Sequence, residues 1–335
     1  MSVRDLLIIG AGPAGLAVAI AASEAQLDYD VIEKGVLVNS IFNFPPGMTF
    51  FTTPDLLEIG RLPFVTPYEK PTRHEALRYY RRVVDAYKLQ ITFGEEVRSI
   101  GRDLDDGEPV FIIDSTTDRG EPRLRTARAV VFAIGYYDHP NVLGIPGETL
   151  PHVRHYYGDP HAHYRQHVLI VGGKNSAAIA SLELYRAGAH VTLVHRGATL
   201  SDRIKYWIRP DIDNRIKEGS VAAHFESRVV EIRATSAVVE KPGGDRLEVP
   251  ADTVLLLTGY HPDFNLIEAA GVTLGARREP IFNPETMETN VQGLFVAGGL
   301  VGGLDTGAIF IENGRFHGEK IVRTIQQKLA LSRSL

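Results

Sequence analysis

LLIIGAGPAG, residues 6–15, decides the fold. The apolar run Leu6 to Ile9 stops at Gly10, Gly12 and Gly15, and a small-residue helical pattern over 16–22 follows at once. That is a strand, a tight turn and a helix. Gly10 makes the turn, Gly12 lets a pyrophosphate approach the backbone, and Gly15 lets helix and strand pack, while unpaired N–H groups at the helix N-terminus face the phosphates. A second strand, Tyr29 to Ile32, runs into Glu33, 18 residues past Gly15. A carboxylate there accepts hydrogen bonds from both hydroxyls of a ribose, so a free 2′-hydroxyl is expected, as in FAD or NAD.

VLIVGGKNSA, residues 168–177, repeats the layout with other chemistry. Lys174 replaces the third-position glycine and Ala177 the last one. The same interval of 18 residues now ends on His195, followed by Arg196, after a strand at His190 to Val194. Donor and cationic groups in place of a carboxylate favour a ribose 2′-phosphate. The reading is FAD at the first turn and NADPH at the second.

Composition fits a cytoplasmic enzyme. At 335 residues the chain has room for two domains, and 44% hydrophobic residues supply ordinary cores. A net charge of −5 and the absence of a basic tract argue against a nucleic-acid partner. The apolar stretch 6–22 after Arg4 invites a signal-peptide reading, but its glycine spacing explains it, and no other segment suggests a membrane span. There is no cysteine, which excludes disulfides, iron–sulfur clusters and thiolate zinc sites.

The order of elements predicts an α/β fold of two Rossmann-like dinucleotide-binding domains, of the three-layer ββα type, one inserted in the other. Residues 1–138 and 262–335 form the flavin domain and 139–261 the nicotinamide domain, with linkers at 138–146 and 259–262. A helix is expected over Arg73 to Tyr87 and strands near 90–93, 110–114 and 129–133. In the second half come an amphipathic region over 202–217, strands near 228–233, 237–240 and 254–257, and a hairpin turn at Pro242 to Asp245. A strand at 293–297 leads to Gly298, Gly299, Gly302 and Gly303 and a closing helix from about Ala308, whose N-terminus would face a reduced flavin.

Several further motifs show that the chain resembles the low-molecular-weight thioredoxin reductase branch of the pyridine nucleotide-disulfide oxidoreductases. They are AIG at 133–135, GGKNSA with HRG at 195–197, TGYHPD at 258–263 and ETMETNVQGLFVAGG at 285–299. Those reductases carry a CxxC before the second turn, and the matching interval, His152 to His167, has no thiol. VIEKG at 31–35, VNSIFNFP at 38–45, GYYDHP at 135–140 and IENGRFHG at 311–318 are more similar still to the bacillithiol disulfide reductase group. Many of its members have a cysteine inside the first turn, GxGPCG, where this chain has Ala14. Gly299 also departs from the aspartate with which thioredoxin reductases hold the FAD ribitol.

The resemblance implies electron transfer from NADPH through flavin to a low-molecular-weight disulfide without a redox-active CxxC, in a homodimer whose domains rotate. The flavin site is expected at Gly10, Gly12, Pro13, Ala14 and Gly15, then Glu33, Lys34 and Asn39, and further along at Val97, Ala133, Gly135, Gly298, Ala308 and Ile309. The NADPH site is expected at Gly172, Lys174, Asn175, Ser176, His195, Arg196 and Gly259. His139, His317 and Tyr136, with Tyr137, are candidate donors to a leaving thiolate. Phe50 and Phe51 with Thr52 and Thr53 are candidates to line the flavin. Arg73, Arg78, Arg81 and Arg82 read as a solvated helix face or as an attractor for an anionic substrate. His152, His155, His161, His163 and His167 lack metal-ligand spacing, so no metal is expected. The acceptor is a small molecule or a small protein. Alternative readings are a ferredoxin or flavodoxin NADP reductase and a non-catalytic redox-sensing flavoprotein. A flavin monooxygenase finds no further signature.

Overall fold

The computed structural model describes residues 3–332. It divides into two compact units: Met1–Asn43, Met48–His139 and Tyr260–Leu335 form one, and Phe44–Gly47 with Pro140–Gly259 the other.

The first unit is built on a seven-stranded sheet in the order Ile91–Phe93, Tyr29–Glu33, Arg4–Ile9, Pro122–Phe132, Glu108–Thr117, Glu95–Asp105, with Leu294–Val296 also paired to Pro122–Phe132. The strand Pro122–Phe132 belongs to two patterns. Its first half runs antiparallel to Glu108–Thr117, and its second half runs parallel to Arg4–Ile9 and Leu294–Val296. Leu6, Leu7 and Ile8 are wholly buried, as expected of a parallel strand covered on both faces, which is why they read as one apolar run. The helix Pro13–Glu24 buries residues on nearly every side. It packs on the sheet and on the closing helix His317–Ser332, where a Cβ at Gly318 would lie 2.6 Å from the Ala17 carbonyl oxygen. Residues 6–22 are thus a core strand and a core helix.

The helix Arg73–Tyr87 starts at a capping box in which Thr72 and Glu75 each bond the other's backbone N–H. Its tyrosines pin the preceding loop. Tyr79 accepts from the Ile59 N–H and donates to the Leu62 carbonyl, Tyr80 donates to Leu57, and Tyr87 accepts from Arg61. Burial pushes the Tyr79 hydroxyl up to about 12.

The strand Glu95–Asp105 was not foreseen, because its outer half is exposed and polar and shows no apolar alternation. It is held by the hairpin with Glu108–Thr117 and by Glu95, 1% exposed, which binds Arg125 at 2.7 Å and the Ser115 hydroxyl at 2.6 Å. Burial works against the Glu95 charge, but these bonds outweigh it and hold the pKa below its usual range.

The second unit carries a five-stranded parallel sheet, ordered Ala222–His224, His190–Val194, His167–Val171, Thr253–Leu256, Val153–Arg154. An antiparallel meander, Arg228–Ile232, Ser236–Glu240 and Arg246–Pro250, covers it. Val229, Ile232, Ala237, Val239 and Val249 of the meander pack on Leu169, Val194, Val254 and Leu256 of the sheet. The bond from Lys241 N–H to the Asp245 carbonyl closes the turn read at Pro242 to Asp245.

Two helical regions need comment, one within the expected amphipathic stretch and one at the expected closing helix. The region 202–217 is helical only over Arg209–Lys217, because the backbone at 203–205 is bonded to Asn175 and Ser201 instead, and Pro210 sits at the helix start. The closing helix does not run from Ala308. A single turn, Ile311–Gly314, follows the bond from Phe310 N–H to the Asn313 side chain, and the long helix begins only at His317. A four-residue turn gathers little dipole, so the expected helix N-terminus facing a flavin is absent at Ala308.

Candidate dinucleotide sites

At the first turn, Gly10 has φ +106°, and a Cβ there would lie 2.5 Å from the Ala133 carbonyl oxygen. A Cβ on Gly15 would overlap the Gly10 carbonyl oxygen. Gly12 differs, since nothing lies within 4 Å of where its Cβ would be, and the helix it precedes, with Pro13 at its start, has no side-chain cap. The strand–helix contact and an open backbone edge are thus assigned to different glycines, and the open edge fits a pyrophosphate.

Glu33 is 6% exposed. One carboxylate oxygen accepts from the Ala11 N–H and the other from the Gly35 N–H, both at 2.8 Å. Each oxygen keeps a lone pair for a ribose hydroxyl. Burial raises the carboxyl above its usual range, against the effect of the two backbone bonds. Lys34 and Asn39 do not stand alone. Both converge on Asp138, the ammonium at 2.9 Å and the amide at 3.5 Å, which makes Asp138 part of the site, although its sequence position suggested only a linker. Val97 is buried at an irregularity of its hairpin, and Ala133 N–H bonds Ile9.

Around Gly298, three expected residues come together. A Cβ on Gly298 would lie 2.6 Å from the Ala14 methyl, so position 14 abuts this backbone. The Tyr136 ring lies against Gly299, 2.7 Å from a Cβ there. His317 Nδ1 accepts the Gly298 N–H at 3.1 Å, which leaves the proton of the neutral ring on Nε2. Burial, helped by Lys320, lowers the His317 pKa to about 4. A ring neutral at pH 7 is a hydrogen-bond donor but a poor acid toward a thiolate. Burial raises Tyr136, which keeps its hydroxyl protonated. His139 stands apart from these, stacked on His261 at 5.8 Å and 3.9 Å from Asp263. The Tyr137 hydroxyl donates to the Asn43 carbonyl at 3.4 Å. Gly135 has φ +64°, the Ala308 carbonyl accepts from Asn313, and the Ile309 side chain packs near Gly314.

At the second turn, a Cβ on Gly172 would lie 2.7 Å from the Leu257 carbonyl oxygen, and one on Gly173 would overlap the His195 ring. His195 therefore lies flat on the turn. Burial, then the neighbouring Arg196 charge, lowers its pKa. Of the donor and cationic groups expected at 195–196, the lowered pKa favours the neutral ring of His195 as the donor, and the charge is that of Arg196, which is exposed. Lys174 is extended and exposed, and Ser176 is exposed in the first helical turn. Gly259 and Thr258 are clasped to Asn141, whose N–H donates to Gly259 and whose side chain donates to Thr258.

A model of the pyridine nucleotide-disulphide oxidoreductases matches residues 7–298. The chain belongs to the pyridine nucleotide-disulphide oxidoreductase family. Within this family it is 40% identical to the bacilliredoxin reductase Bdr of Bacillus subtilis over 323 residues, covering 96% of this chain and 97% of that one. The structure of bacillithiol disulfide reductase Bdr from Bacillus cereus superposes with a TM-score of 0.94 at 38% identity over 98% of this chain and 100% of that one. That from Staphylococcus aureus gives 0.91 at 36% over 98% and 99%. Membership of the pyridine nucleotide-disulphide oxidoreductases makes the chain an oxidoreductase and implies a flavin and a pyridine nucleotide.

The other candidates have partners or positions of their own. Arg73 Nε donates to the Ile41 and Phe42 carbonyls, and Arg78, Arg81 and Arg82 lie on the exposed helix face. Phe50 is buried, and its N–H bonds Pro71. His163 pairs with Gln166, His155 lies 3.7 Å from Glu148, and His167 stacks on His190. Among the described residues no three His, Asp or Glu are grouped to hold a metal, and no helix is long and apolar enough to cross a membrane.

Proposed function

We propose that the protein is an NADPH-dependent reductase of a low-molecular-weight disulfide such as bacillithiol disulfide, working as a cytoplasmic homodimer with FAD at the first turn and NADPH at the second. The observation that carries this reading is the opposite chemistry at two equivalent positions, buried Glu33 and exposed Arg196, in a chain similar to Bdr from end to end. Glu33 accepts ribose hydroxyls, and Arg196 takes a 2′-phosphate.

When bound, the flavin supplies a two-electron relay between nicotinamide and acceptor. The chain binds and orients both nucleotides. Gly12 gives the pyrophosphate an open backbone edge, Glu33 fixes the ribose, and the Gly298 backbone, held by His317 and next to the Gly299 that the Tyr136 ring covers, abuts Ala14, where many members of the resembling group carry a thiol. The net reaction cleaves one S–S bond, takes two electrons and one proton from NADPH and one proton from solvent, and releases two thiols. No protein thiol takes part, because the chain has no cysteine.

Anaerobic NADPH consumption by the purified flavoprotein, with and without bacillithiol disulfide, tests this. Clear stimulation is the expected result. NADPH oxidation that ignores the disulfide and responds to ferredoxin would replace the reading with that of a ferredoxin reductase.

A further inference from the structure

Asn175 opens the helix at the second turn, yet its amide is spent on the chain itself. Nδ2 donates to the Arg203 carbonyl at 3.2 Å, and Oδ1 accepts from the Lys205 N–H at 3.0 Å. One residue pair away, the Ser201 N–H donates to the Gly173 carbonyl at 2.9 Å. Three bonds splint the segment 201–205 to the turn. Its other side is anchored by the buried side chains of Leu200, Ile204 and Ile208 and by Arg209, whose Nη1 donates to the Leu200 and Ser201 carbonyls at 3.3 Å each.

What the splint delivers is positive charge. The Arg203 side chain is exposed, and the Lys205 ammonium lies over the Trp207 ring, 6.0 Å from its centre. This charge adds to the exposed Lys174 and Arg196 of the turn itself, where burial lowers the pKa of His195. A guanidinium on a fixed backbone binds phosphate oxygens with little further ordering cost.

We propose that Asn175 is a positioning residue: it touches no nucleotide atom, but holds Arg203 and Lys205 at the rim of the second turn, where with Arg196 they bind the 2′-phosphate of a phosphorylated dinucleotide. The inference rests on the reading of this turn as the NADPH site. It also moves Asn175 from a direct contact, as the sequence suggested, to a splint.

The test is calorimetric titration of the purified holoprotein with adenosine 2′,5′-bisphosphate and with 5′-AMP. Asn175→Ala and Arg203→Ala each weaken the bisphosphate about tenfold, the scale of one hydrogen bond to a charged group, and change 5′-AMP much less. The double variant is no weaker than the weaker single one, since both remove the same contact. Arg203→Ala is a surface truncation, so it keeps the inference testable if Asn175→Ala unfolds. Wild-type binding in Arg203→Ala with weak binding in Arg196→Ala would overturn the inference and leave the NADPH site standing. Equal loss of both probes in Asn175→Ala, additive with Arg203→Ala, would reduce Asn175 to a support of the fold. Undiminished bisphosphate binding in Arg196→Ala would sink the NADPH reading itself.

Discussion

The two glycine turns share a plan and differ in where charge is kept. At the first, Glu33 is buried with both oxygens engaged by backbone N–H groups, and the lysine beside it is paired with Asp138. At the second, the residue in the equivalent place is a histidine laid on the turn and held neutral, and the cations stand in the open. A buried carboxylate reads uncharged hydroxyls by geometry, whereas exposed guanidinium and ammonium groups read a doubly charged phosphate by field and fork. On the proposed reading, strand, turn and helix are common to both sites, and the end of the second strand distinguishes the two nucleotides.

The largest effect is expected at Gly15. Gly15→Ala drives a methyl into the Gly10 carbonyl and is expected to cost about 3 kcal/mol, lowering Tm and stripping flavin absorbance from the purified protein. Gly12→Ala meets nothing within 4 Å, so it should keep Tm and still loosen flavin, which separates packing from ligand approach.

Proton linkage sharpens the comparison next. His317 titrates at 6.5 when unfolded and about 4 when folded. Its contribution is present above pH 6.5 and is lost as pH falls to 4, in all about 3 kcal/mol. His317→Asn, whose amide oxygen can still accept the Gly298 N–H, should flatten that part of the stability profile measured by urea unfolding. Glu33 acts with the opposite sign, because its carboxyl is raised when folded. Stability of the flavin-free protein should fall as pH rises above about 4.5, and Glu33→Gln should remove that fall.

Arg196→Ala should raise KM for NADPH about thirtyfold, leave kcat nearly unchanged and spare NADH, as expected for one lost charge-assisted contact to a 2′-phosphate. Steady-state kinetics with both nucleotides checks this. The smallest effect lies outside both turns. Thr72→Ala removes half of a capping box and should cost about 1 kcal/mol with neither nucleotide affected, measured by thermal unfolding.

Both turns, their flanking strands and the helix Arg73–Tyr87 were legible in the sequence because periodicity, glycine spacing and capping agree there. The strand Glu95–Asp105 was not, since its outer half is exposed and polar and carries no apolar alternation. Asp138 and Asn141 were read as linker because their roles lie in bonds to Lys34, Asn39 and Thr258, residues far away along the chain. The lowered pKa of His195 was not legible either, because it depends on what covers the ring, and a local motif does not show burial. The single helical turn at Ile311–Gly314 turns on one side-chain bond from Asn313, below the resolution of any periodicity.

Single-turnover reoxidation separates a disulfide reductase from a ferredoxin reductase. The flavoprotein is bleached anaerobically with one equivalent of NADPH and mixed with bacillithiol disulfide while flavin absorbance is followed. Full recovery of absorbance with one equivalent of disulfide and release of two thiols is expected. A flavin that stays bleached with the disulfide, yet recovers at once with ferredoxin, would contradict the reading as a disulfide reductase.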